Sequence, residues 1–149
     1  MKIAIACDHG GYELKEELKK HLSKRNTEYV DFGTDGTQSV DYPDYAEKAA
    51  GAVLSGECDF GIVICGTGIG ISIAANKIAG IRCAHCHDVY SARMTRAHND
   101  ANMLAFGARV IGAGLMCEIV DAFLGGSFEG GRHQRRVDKI TAIEKKYSK

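Results

Sequence analysis

The segment VICGTGIGIS, residues 63–72, ends an apolar run on a thiol and follows it with glycines at 66, 68 and 70. Three glycines in five residues cost conformational entropy, so the turn must let its backbone approach something closely. A glycine turn that opens a helix presents bare N–H groups and the positive end of the helix dipole, a ready site for an oxyanion or phosphate. Amide dipoles beside a thiol favour its thiolate, and Cys65 is therefore a candidate nucleophile or general base. The spacing departs from the dinucleotide fingerprint, whose third glycine comes three positions after the second and which follows the first strand. Taken alone, the turn serves structure as readily as a ligand.

A second cluster lies near the C-terminus. EGGRHQRRVDKI places Arg132 and Arg136 four residues apart, on one face of the last helix and near its start. Positive side chains are disfavoured there because the dipole is also positive, and an anion held between them removes the conflict. The plainer reading is a solvated charged face. Nineteen basic and nineteen acidic residues cancel, so a compact phosphate fits better than nucleic acid or a membrane surface.

The other polar residues are weak one at a time. Asp8 and His9, in CDHGG, suit a helix cap as well as a ligand. His98 and Asn99, in a polar HND cluster, read as a helix-ending loop, although an imidazole titrating near neutrality suits proton transfer. Tyr42 before Pro43 serves packing, and Arg109 a carboxylate, on the plainer view. CAHCH, residues 83–87, has the spacing of covalent haem attachment, and Cys83 with Cys86 that of a redox or metal pair. Neither Cys58 nor Cys117 has a neighbour at ligand spacing that would complete a zinc site. The expectation is an interior strand with small residues facing two helical layers, and no metal or haem.

These groups must be positioned by alternating elements. KIAIACD (2–8), EYVDFG (28–33), DFGIVIC (59–65), the stretch around IRCAHC and MLAFG predict strands. Leu14, Leu18 and Leu22 predict an amphipathic helix over about 11–25, and Ala46, Ala49, Ala50 and Val53 mark the buried stripe of the next. Helices follow through ISIAANKIA, VYSARMTRA and GLMCEIVDAFL, and a last one carries Val137, Ile140, Ile143 and Tyr147 on one side. Such alternation, without repeat or long linker, predicts one α/β domain over 1–149. The expected architecture is a three-layer, doubly wound, Rossmann-like fold with a parallel sheet of about five strands. Ligands of such sheets sit beyond the carboxyl ends of the strands. Asp8, His9 and Cys65 fall there, whereas His98 and Asn99 precede the fifth strand and reach the same crevice only by folding back or from another subunit. The first apolar stretch is too short for a secretory signal, and the uncharged segment 60–76 is broken by four glycines. A cytoplasmic protein with reduced thiols is expected, with no membrane partner.

CDHGG, DYPDYA, ICGTGIGISIAANKIAGIR, YSARMTRAHNDANMLAFGARVIG and EGGRHQRRV, in this order and spacing, resemble the type B ribose-5-phosphate isomerases, in the family that also holds allose-6-phosphate and galactose-6-phosphate isomerases. The resemblance covers nearly the whole chain and implies a cofactor-free interconversion of ribose 5-phosphate and ribulose 5-phosphate. It implies Cys65 as the proton acceptor acting between C1 and C2, and His98 as the group assisting ring opening. The backbone of Gly66, Thr67, Gly68, Ile69 and Gly70 would bind the enediolate oxygens. Asp8 and Asn99 would contact sugar hydroxyls with Thr67 and Tyr42 nearby, and His9, Arg109, Arg132 and Arg136 would surround the phosphate. It further implies a homodimer or dimer of dimers with the pocket between subunits. Two other readings stand beside it: a hexose 6-phosphate isomerase, and a non-catalytic nucleotide- or phosphate-binding module on the same layered fold.

Overall fold

Residues of the central strands alternate in bulk more than in polarity. Along β1 (Lys2–Cys7), Ile3, Ile5 and Cys7 face one side of the sheet and Ala4 and Ala6 the other. β3 (Phe60–Cys65) sends Ile62 and Ile64 to the first side and Val63 and Cys65 to the second. β5 (Met103–Gly107) divides likewise, with Leu104 and Phe106 opposite Met103 and Ala105. Both faces are dry, as a parallel sheet requires.

The computed structural model describes residues 1–149. Its five parallel strands run in the order β2-β1-β3-β5-β4, with β2 at Glu28–Asp31 and β4 at Cys83–His85. On the bulky face lie α1 (Tyr12–Lys24), whose Leu14, Leu18 and Leu22 are buried, and α5 (Ala113–Leu124), which buries Met116, Ile119, Val120 and Phe123. α4 (Val89–Asn99) packs beside α5 and adds Ala92. On the small-residue face lie α2 (Tyr42–Leu54) and α3 (Ile69–Asn76). α2 meets the sheet through Ala46, Ala49, Ala50 and Ala52, side chains short enough to let a helix lie close. The expected α/β architecture and strand count are present. No helix is long and apolar enough to cross a membrane.

Two sequence expectations need correction. The IRCAHCH stretch is not an interior strand: β4 is only three residues long and forms the sheet edge, with Cys83 buried and His85 exposed. Short edge strands limit unwanted pairing. The buried stripe of α2 is finished by Ala52, while Val53 is only half-buried. The last helix, α6 (Arg132–Tyr147), buries Val137 but leaves Ile140, Ile143 and Tyr147 exposed along an open cleft of about 730 Å³ shared with Cys83 and Asn99.

The strand order reverses between β1 and β3, where the crevice of a doubly wound sheet opens. Register pairs Cys7 with Ile64, and the Asp8 N–H donates to the Ile64 carbonyl at 3.2 Å, so Asp8 emerges beside Cys65. The loop after β2 is pinned from within. Lys15 of α1 is fully buried, and its Nζ donates at 2.6 Å both to Asp31 and to the Thr34 carbonyl. Burial raises the Asp31 carboxyl, but hydrogen bonds from Lys15 and the Gly33 N–H, with the Lys15 charge, hold it below the ordinary value of 3.8. Removing one partner of such a pair leaves the other desolvated. Lys15→Met is expected to lower stability by about 2 kcal/mol, less than for a fully buried pair because Asp31 keeps some solvent and Lys19 at 3.3 Å. The urea midpoint, read with an unchanged m-value, measures this.

Candidate active site

Cys65 closes β3 and is 4% exposed. Its Sγ accepts the Gly68 N–H at 3.1 Å. Gly68 caps α3 at φ 77°, in the left-handed region that disfavours a side chain. Space forbids one as well: a Cβ there would lie 2.5 Å from the Phe106 carbonyl carbon, and one on Gly107 would lie 2.5 Å from that of Thr67. The turn thus lies with bare backbone against the end of β5, and this contact aims the amide at the sulfur. The Thr67 hydroxyl accepts the Ile69 N–H at 3.2 Å and stiffens the same turn.

Four expected residues surround it. Asp8 is buried and accepts from Gly10 N–H at 2.9 Å and Gly11 N–H at 3.2 Å, so the capping reading is realised beside the crevice. The Val40 N–H donates to His9 Nδ1 at 3.2 Å, which leaves the proton of the neutral ring on Nε2. The Tyr42 ring covers Gly70, its Cζ 2.7 Å from where a Cβ would stand, and Arg109 Nη1 lies 3.0 Å from the equivalent point on Gly66. His9 and Arg109 line a cleft of about 730 Å³ with Thr37 and Gly112. Thiol, amides, carboxylate, phenol, imidazole and guanidinium therefore converge at the carboxyl ends of β1 and β3.

His98, Asn99, Arg132 and Arg136 form a separate group. α4 runs back along the sheet, so its last residues lie about 16 Å from its start, near the amino end of β5. Two arginines brace that end. Arg96 donates to Asp100 at 3.0 Å and to the Ala101 carbonyl at 2.7 Å, and Arg82 Nε donates to the Asn99 carbonyl at 3.1 Å. The His98 ring stacks on His133, centroids 4.1 Å apart and planes 7° from parallel. Glu129 Oε2 lies 3.4 Å from His133 Nε2 and 3.9 Å from His98 Nε2. Arg132 and Arg136 sit exposed in the first turns of α6, where no acidic side chain offsets them. Neither pairs with a carboxylate of the chain, and nor does Arg109. One chain thus places the expected site residues in two groups at opposite ends of its sheet and does not join them.

Glu129 and His133 were not singled out by sequence reasoning, and His85 and His87 entered it only as part of the CAHCH spacing. EGGRHQRRV contains His133, but only the i, i+4 arginine spacing carried a signal, and the stacking partner comes from another helix. Burial, and the charges of His98, Arg132 and Arg136, hold the buried His133 below the ordinary 6.5. The trio His98, Glu129 and His133 has donor types that metals accept. Its parallel stacked rings, however, aim their lone pairs side by side, whereas metal ligation needs them to converge.

Residues 3–140 match the family described as Ribose/Galactose Isomerase. The chain is 57% identical over 145 residues to ribose-5-phosphate isomerase B of Escherichia coli, covering 97% of each. It superposes on the ribose-5-phosphate isomerase B of Clostridium thermocellum with a TM-score of 0.98 and 63% identity, covering 99% of this chain and 100% of that one. The Mycoplasma genitalium ribose-5-phosphate isomerase B, solved with bound ribulose-5-phosphate, gives a TM-score of 0.91 at 42% identity, covering 97% and 96%.

Burial first, and then the neighbouring His85, hold His87 below its ordinary 6.5. The unfolded chain therefore binds a proton on this ring at a higher pH than the folded one. Its contribution to stability is whole above about pH 6.5 and is lost as the pH falls below that value. Thermal unfolding followed from about pH 7.5 to 5 should show Tm falling, and His87→Gln should make the fall shallower.

Proposed function

The chain belongs to the ribose/galactose isomerase family, and we propose that it interconverts D-ribose 5-phosphate and D-ribulose 5-phosphate through a cis-enediolate with Cys65 as general base. The observation that carries this reading is the Gly68 N–H held 3.1 Å from Cys65 Sγ at the reversal of strand order. Starting from the aldose, the thiolate takes the proton from C2 of the open-chain sugar and negative charge develops on the C1 oxygen, which gains a proton as the O2 hydroxyl gives one up. Of the turn's amides, Gly68 N–H serves the sulfur and Ile69 N–H the Thr67 hydroxyl, so those of Gly66, Thr67 and Gly70 take that charge, and each such donor typically contributes a factor of about 10² to 10³. The proton returns at C1 and the ketose forms. A proton moves and no oxidant or reductant is consumed, so the reaction needs no redox cofactor.

The remaining residues take the roles their positions suit. Asp8 and Asn99 hold sugar hydroxyls with Thr67 and Tyr42, and His98 assists ring opening. His9, Arg109, Arg132 and Arg136 take the phosphate; the three arginines, free of carboxylate partners, have charge to offer. His98, Asn99, Arg132 and Arg136 come from a second copy of the chain, in a homodimer or a dimer of dimers. The separation of the half-sites supports this arrangement, as do the uncovered Ile140, Ile143 and Tyr147. Six unpaired thiols suit the reducing cytoplasm.

Cys65→Ala is expected to lower kcat for ribose 5-phosphate by about 10² to 10⁴ with little change in KM, the range for losing a general base; unchanged turnover removes Cys65 from the role. The ratio of kcat/KM for ribose 5-phosphate over allose 6-phosphate should exceed one. The shared site has its own test. Cys65→Ala and His98→Ala chains, each inactive, should regain about one quarter of normal activity when unfolded together and refolded at equal amounts, because half of randomly paired dimers then carry one intact site of two. A site built within one chain regains nothing.

A further inference from the structure

The CAHCH segment takes no part in the chemistry above, yet one of its imidazoles meets the turn after Cys65 and the other the end of β5 against which that turn rests. His85 and His87 meet edge to face, centroids 4.5 Å apart at 80°, with their Nε2 atoms 3.3 Å apart. The Gly107 N–H, a donor only, lies 2.9 Å from His87 Nε2, so this nitrogen accepts and the proton of the neutral ring sits on Nδ1. The Thr67 carbonyl oxygen, an acceptor only, lies 3.0 Å from His85 Nε2, so this nitrogen carries its proton and donates. The two assignments are compatible at the contact between the rings, where one nitrogen carries a proton and the other does not.

The Thr67 carbonyl and the Gly68 N–H are the two ends of a single peptide group. Its hydrogen points at Cys65 Sγ and its oxygen takes the His85 proton. A hydrogen bond at the oxygen polarises the amide and strengthens donation at the other end. His87 acts on the surface this peptide rests against: it holds Gly107, where a Cβ would stand 2.5 Å from the Thr67 carbonyl carbon. We propose that His85 and His87 are positioning residues for the Cys65 thiolate, clasping the Thr67–Gly68 peptide to the end of β5 and polarising it toward the sulfur. Neither touches the sugar in this scheme. Asp88, the cap of α4, is the charged neighbour of His87, and its carboxylate is engaged by the Ser91 N–H at 2.6 Å.

The inference rests on Cys65 as base for its bearing on turnover, but its central readout does not require turnover. Thiolate absorbance near 240 nm is titrated for each protein, with the same protein carrying Cys65→Ala subtracted so that the other five thiols cancel. His85→Leu and His87→Leu are expected to lower the Cys65 thiolate fraction near pH 8 about two- to fourfold, the size that 10–30% polarisation of a charge-assisted bond implies. His85→Gln and His87→Gln, which keep a donor and an acceptor at similar reach, should restore most of it, with kcat following and KM unmoved. Should a leucine variant misfold, the alanine variant of the same residue, which also removes the hydrogen-bonding group, takes its place in the same titration with the same two outcomes. Thiolate titrations of folded His85→Leu and His87→Leu that overlay the unmodified protein overturn the inference. Absence of ribose 5-phosphate turnover in the unmodified protein overturns the isomerase reading alone.

Discussion

Gly68 reaches the Cys65 sulfur because nothing stands between the turn that follows β3 and the backbone at the end of β5. Two glycines on opposing segments, Gly68 and Gly107, each present bare peptide to the other, at separations where one methyl group would meet a carbonyl carbon at 2.5 Å. That contact fixes the direction of the amide, and the amide fixes what the thiol can do. Much else in the chain serves it. Bulky residues on one sheet face hold the strands in place, and the registers Cys7↔Ile64 and Cys65↔Gly107 bring Asp8 and the end of β5 level with the sulfur. Lys15, buried under the loop after β2, steadies the segment that leads to Tyr42.

The chemistry is divided by the topology of the fold. In a βαβ unit the helix after a strand starts at the carboxyl end of the sheet and finishes at the amino end, so a loop between α4 and β5 cannot reach a crevice at the far side. His98 and Asn99 are therefore placed by their own chain with care, clamped by Arg82 and Arg96, at a location remote from that chain's Cys65. The arginines of α6 share that location. A surface that groups an imidazole, unpaired guanidinium groups and an uncovered apolar helix stripe is suited to completing a neighbour's pocket.

Patterns within a single segment were legible in the sequence; pairings between distant segments were not. The alternation of strands and helices, the glycine turn, the thiol beside it and the arginine spacing are local, and the structure realises each. The length and place of β4 were not legible, because Ile81, Cys83, Ala84 and Cys86 give IRCAHC the small apolar residues of an inner strand and only the pairing partners reveal an edge. The stacking of His98 on His133 joins α4 to α6 across 35 residues of sequence, and no spacing rule links them. The contacts of the CAHCH histidines were hidden for a related reason. The groups that meet their ring nitrogens are backbone atoms of Thr67 and Gly107, which carry no signature in a sequence.

The alanine layer between α2 and the sheet has a reach beyond packing. Tyr42 begins that helix and lies flat on Gly70, so the thickness of the layer sets the height of the phenol above the turn. Interiors packed at crystal density transmit such displacements rather than absorbing them. A methylene added at Ala46, Ala49 or Ala50 would raise the roof of the crevice from beneath, with no change to any residue that meets the sugar. The length of carbohydrate admitted is in this sense adjustable from a layer of methyl groups that it never contacts.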